Sequence, residues 1–123
     1  MGKRAIVAGE WPSYLEKFAL RHKAWLATVE ERPRQGSARV CASNRPLESL
    51  TAEPLGAGMR IVIGFGDAGD TLRVEPAQAL RVEETPRGEE LGLEIETPRG
   101  ETIMRFRTAV LPEEVDGIAP WQL

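Results

Sequence analysis

Only a few residues of this 123-residue chain are of a type that could do chemistry: one histidine, His22, one cysteine, Cys41, and a glycine–aspartate run from Gly64 to Asp70. Gly64-Phe65-Gly66-Asp67-Ala68-Gly69 has the spacing of a dinucleotide-binding loop. That loop works by opening a helix whose N-terminus holds pyrophosphate. Here Asp70-Thr71-Leu72-Arg73-Val74 follows, which reads as a strand with two carboxylates beside the supposed phosphate. A hairpin turn is expected instead, and no cofactor. Asp67 and Asp70 supply two carboxylates, far short of the roughly six to eight oxygens that calcium takes, so they are expected to bond to their own turn.

His22 cannot form a histidine metal site or a two-histidine relay alone. It lies on the apolar stripe of a helix, where a packed or capping imidazole is expected. Cys41 falls on the polar side of a strand pattern. With no second cysteine and one distant histidine, no catalytic thiol is expected. Neither a catalytic residue, nor a metal ligand, nor a cofactor site is assigned on this basis. Trp121, near the end of an irregular acidic stretch, is the third residue of interest, as an anchor that docks on its own domain or on another chain.

The elements that must position these residues follow from periodicity. Trp11, Tyr14, Leu15, Phe18, Ala19 and His22 form one helical stripe. The helix is expected to start near residue 12 or 13, through Pro12 in its first turn or a Ser13 cap with Glu16 reaching back, and to end near Lys23. Beyond it the period is two. Trp25, Ala27 and Val29, then Ala38, Val40 and Ala42, read as a hairpin around Arg32–Gly36, with Trp11 and Trp25 as core anchors. Residues 45–58 show little pattern, and one short strand near Glu48–Glu53 is expected. Met59, Ile61, Ile63 and Phe65 form a strong strand, and Leu72 and Val74 a return strand that Pro76 should end.

Glu84-Thr85-Pro86-Arg87-Gly88-Glu89 recurs as Glu96-Thr97-Pro98-Arg99-Gly100-Glu101. Two such corners twelve residues apart predict a three-stranded meander. Four-residue Pro-Arg-Gly-Glu loops would set Val82 against Leu93, Leu80 against Ile95, Ile95 against Met104 and Leu93 against Phe106. On the other face they would form a solvent-facing Arg81–Glu94–Arg105 ladder.

The expected fold is α+β: an N-terminal amphipathic helix packed on a twisted, mainly antiparallel sheet of six or seven strands, with curling into a partly open barrel as the alternative to an open sheet. Residues 1–110 form the single domain and residues 111–123 the irregular acidic tail carrying Trp121.

Glu10-Trp11 ahead of a helix with Tyr14, Leu15 and Phe18, Trp25 opening a strand, Pro76 after Leu72-Arg73-Val74, and Gly100 leading to Arg105-Phe106-Arg107 resemble a family of small bacterial proteins, catalogued as a domain of unknown function. Members often carry a histidine before that proline, where this chain has Arg73 and Val74. The resemblance implies no activity and no functional residue.

Net charge is −3 and the pI about 5.3, so a nucleic-acid partner is not expected; the arginines at 81, 105 and 107 would have to outnumber their neighbouring carboxylates. The apolar stretch after the basic start is too short for an export signal, and no run approaches a membrane span. A cytoplasmic location and no membrane partner are expected, the lone cysteine being compatible with a reducing compartment. These residues point to a small non-catalytic binding or assembly module, pairing with itself through a sheet edge or the tail, or with another protein. The alternative is a small-molecule binder or weak enzyme with a helix–sheet pocket near His22 and Cys41.

Overall fold

The computed structural model describes residues 2–107. Helix α1 (Trp11–Arg21) carries the predicted stripe: Trp11, Leu15, Phe18 and Ala19 are buried along it. Pro12 stands in its first turn, where a missing N–H costs nothing. Ser13 does not cap; its hydroxyl donates back to the Glu10 carbonyl at 3.4 Å. Trp11 buries its ring and satisfies its indole N–H on the Ile6 carbonyl, 2.8 Å away.

The helix packs on an antiparallel sheet of eight strands, more than the six or seven expected: β1 (Gly2–Ala5), β2 (Leu26–Pro33), β3 (Arg39–Leu55), β4 (Gly58–Phe65), β5 (Thr71–Ala77), β6 (Ala79–Glu84), β7 (Glu90–Thr97) and β8 (Gly100–Phe106). Their order is β1-β6-β7-β8-β2-β3-β4-β5. No ladder joins β5 to β1, so the sheet is not closed into a barrel. The additional strand, β1, is a short polar segment that is extended because β6 offers it an edge, with Lys3 opposite Glu83.

In place of one short strand near 48–53, β3 runs for 17 residues and changes partner midway. Its first part pairs with β2 as far as Pro46, and from Leu47 it pairs with β4. Asn44 adopts φ 51°, and its N–H donates to Thr28 Oγ1 at 3.1 Å, where the β2–β3 register shifts. Such a bulge bends a strand. Pro76 does not end β5, which continues to Ala77.

The first repeat keeps the predicted pairs, Val82 opposite Leu93 and Leu80 opposite Ile95, but a bulge beside Glu84 sets that residue opposite Glu90 and lengthens the four-residue loop to Thr85–Glu89. The second slips by two residues: Leu93 faces Met104, Ile95 faces Thr102, and Thr97 faces Gly100, leaving Pro98-Arg99 as a two-residue loop. A slip of two keeps every side chain on its face. Strand β8 lies between β7 and β2, and β2 helps set the corner. Pro33 pairs with Gly100, the Arg34 N–H donates to the Arg99 carbonyl at 2.8 Å, and Arg34 Nε reaches the Pro98 carbonyl at 3.0 Å.

Leu80, Val82, Leu93, Ile95, Met104 and Phe106 are buried and share one core with the helix stripe. Two core expectations change. Trp25 is 49% exposed, because it lies just before β2 at the rim, touching His22 and Phe106 by edge contacts. Glu94, predicted to face solvent, is only 6% exposed. Arg105 faces Gly92 and bonds Glu83 at 3.3 Å. Glu94 instead holds Lys3 at 3.1 Å and Arg81 at 3.4 Å. Burial pushes its carboxyl up, and the bond to Lys3 together with the charges of Lys3 and Arg81 overcomes that, leaving it below the usual carboxylate range.

Candidate functional site

A group of chemistry-bearing side chains lies where the end of α1 meets the start of β7. Glu90 receives Tyr14 Oη at 2.7 Å and a two-pronged Arg21 guanidinium at 3.0 and 2.7 Å. Tyr14 and Arg21 are seven positions apart, so the helix places both on the side facing Glu90. His22 Nε2 lies 3.5 Å from the same carboxylate, too far for a hydrogen bond.

His22 is 5% exposed and stacks on Phe106 at 4.7 Å and against Phe18 at 4.4 Å. Its Nδ1 is 2.8 Å from the Phe18 carbonyl. A carbonyl can only accept, which assigns the proton to Nδ1 and leaves Nε2 bare. Burial lowers the His22 pKa; the Phe18 carbonyl and Glu90 oppose that without overcoming it. Burial, followed by donation to Glu90, raises the Tyr14 phenol, so it stays protonated. For Glu90 burial acts upward, and the Arg21 and Tyr14 bonds more than offset it, holding the carboxylate ionised. The cluster anchors the helix end, with the Glu90 carboxylate filled by Tyr14 and Arg21 and the imidazole covered by rings.

One pH signature follows. The ordinary His22 value is 6.5 and the folded value is lower. The stability of the neutral imidazole is therefore complete above 6.5 and lost as pH falls below it through the folded value. His22 is the only histidine, so urea unfolding should show falling stability between about pH 7.5 and 5.5. His22→Gln should flatten that slope. An equally steep slope in the variant would assign it to other groups.

Cys41 is half-buried in β3, its thiol facing the Arg39 carbonyl at 4.0 Å. Burial, with Glu31 nearby, raises its pKa, so it is a thiol rather than a thiolate at neutral pH. Trp121 lies outside the described residues. His22 and Cys41 line neither of two surface hollows. One, about 460 Å³, opens on the outer face among Thr28, Glu30, Asn44, Ile103, Arg105 and Arg107. The other, about 360 Å³, lies between α1 and β3.

The Gly64–Asp70 run is the β4–β5 hairpin, closed by Phe65 N–H on the Asp70 carbonyl at 3.2 Å. Asp67 accepts the Ala68 N–H at 2.7 Å. Arg45 binds both aspartates and lies over the Phe65 ring at 4.5 Å from its centre. It depresses both aspartate pKa values and takes the role that a cation would have had. Neither residue type nor spacing signalled Arg45; the bend in β3 brings it there. On the outer face Arg81 is held by Glu94 and Glu96, and Arg105 by Glu83. Among the described residues no group of three or more His, Cys, Asp or Glu side chains is placed to hold a metal ion, and no helix is long and apolar enough to cross a membrane. No protein-family model, curated protein or solved structure matches this chain.

Proposed function

We propose that this chain is a small non-catalytic binding or assembly module of a reducing, cytoplasmic compartment. The observation that carries this reading is a contrast. The described ionisable clusters engage each other, while Leu20, Trp25 and Val40 turn large apolar surface outward. Exposed tryptophan and leucine suit recognition of protein. Phosphate is a poor partner, since Arg81 and Arg105 already serve carboxylates.

Sedimentation of the full chain and of a chain ending at Leu111 tests the assembly form. A mass above the monomer across the micromolar range, reduced by the truncation, is expected if the tail bearing Trp121 joins copies. A truncated chain that still associates would place the contact on a sheet edge. A strict monomer would remove self-assembly and leave binding to another protein.

A further inference from the structure

Strand β1 is received by groups built into the domain, yet the strand itself buries nothing: all four residues of Gly2–Ala5 are exposed. Lys3 reaches the buried Glu94 at 3.1 Å. Arg4 reaches Glu84 at 3.1 Å, and its guanidinium lies 5.8 Å from the centre of the Tyr14 ring. One step further Ile6 enters the core, its N–H on the Leu80 carbonyl at 2.9 Å and its own carbonyl taken by the Trp11 indole. Gly2–Ile6 is therefore a separable plug, with one apolar knob and two ion pairs.

What joins this plug to the rest is short and bare. Val7, Ala8, Gly9 and Glu10 are all exposed. Ala8–Glu10 form a single 3-10 turn that buries no residue and has no side-chain cap, and α1 begins at once with Trp11. Val7 is 69% exposed, more than Leu20, Trp25 or Val40. The closed chain makes a tight reversal here and leaves an apolar side chain in water.

We infer that two copies of this chain assemble by exchanging Gly2–Ile6, the β1 of each completing the β6 edge of the other. This rests on the assembly reading and names its partner and the segment that joins them. Every contact of the plug recurs unchanged between copies, so those contacts do not decide between the closed and exchanged forms. The link decides. Opened out, the five steps from Ile6 to Trp11 reach at most about 17 Å. Exchange therefore sets the two α1 starts facing each other across a twofold axis. There the links lie side by side, and Val7 covers Val7. A short link that must reverse the chain favours such exchange.

The experiment uses cysteine pairs in the full chain carrying Cys41→Ser. Ile6 bonds Leu80, and antiparallel partners alternate, so Ala5 and Arg81 form a non-bonded pair whose side chains stand close. Ala5→Cys in one chain and Arg81→Cys in another, mixed under mild oxidation, should give a disulfide-linked heterodimer. Arg4→Cys, turned to the other face with Val82, should give none with Arg81→Cys. Both cysteines in one chain, oxidised, should hold it closed and monomeric by sedimentation. Val7→Lys should weaken association about tenfold or more.

Absence of the heterodimer, while the two-cysteine chain does close on itself, overturns the inference. So does an equal yield from Arg4→Cys, which is unspecific collision. Association undiminished in the oxidised two-cysteine chain places the contact elsewhere and overturns it as well. If the full chain still sediments above the monomer in those cases, the assembly reading stands without the exchange. A strict monomer that gives no heterodimer removes the exchange and self-assembly together.

Discussion

Phe18→Ala is expected to remove about 3–5 kcal/mol of folding stability, a large share of the roughly 5–15 kcal/mol that holds a domain together. Phe18 is fully buried and is the centre of the aromatic stack that seats α1 on the sheet. Phe106 lies parallel to it at 5.7 Å, His22 at 4.4 Å and Tyr14 at 6.0 Å. Truncation empties a ring-sized volume that the rigid β8 backbone cannot refill, and it uncovers the neutral imidazole of His22. A urea midpoint that falls sharply with unchanged slope is the expected record. Leu20→Ala, on the same helix but mostly exposed, should stay within about 0.5 kcal/mol. A Phe18→Ala loss no larger than that of Leu20→Ala would mean that α1 is not seated as described.

Gly100→Ala is expected to cost at least about 3 kcal/mol, and Gly88→Ala only about 1–2 kcal/mol, although both glycines occupy the same place in an identical hexapeptide. Gly88 has φ 89° with open space where a side chain would be, so alanine there meets only its own backbone preference. Gly100, at φ 148°, has the Arg32 carbonyl and the Pro33 backbone inside the volume of a Cβ. Both belong to β2, whose ladder with β8 would have to part. Equal losses at the two positions would show that the second corner does not press on β2.

Legibility followed how local each determinant is. The helix stripe and the first corner could be read because a 3.6-residue period and a Pro-Gly pair act within a few residues. The second corner carries the same six residues yet sits two positions away from where they alone put it, since β2 decides where β8 starts through Arg34, 64 positions before Pro98. Strand β3 was almost invisible because the Asn44 bulge and the shift between Leu47 and Ser49 break its alternation twice. Strand β1 has no apolar pattern at all.

The same holds for the candidate residues. His22 was expected to be packed, and it is. Its neighbour Glu90 is supplied by a strand 69 positions beyond Arg21, which no local pattern reports. Trp25 had the parity of a core residue but stands one position ahead of β2, where the helix no longer covers the sheet.

The pairing of β1 with β6 dictates an order of events when the chain first assembles. Arg4 and Glu84 are 80 positions apart, so the entropic cost of closing that loop falls only once the intervening strands have already drawn its ends together. The opening segment is thus the final piece to join, and until it arrives β6 presents a bare rim and Glu94 lacks Lys3. A nascent polypeptide of this topology passes through an interval in which that rim can recruit the wrong strand, and the two cationic side chains at positions 3 and 4 are what seal it.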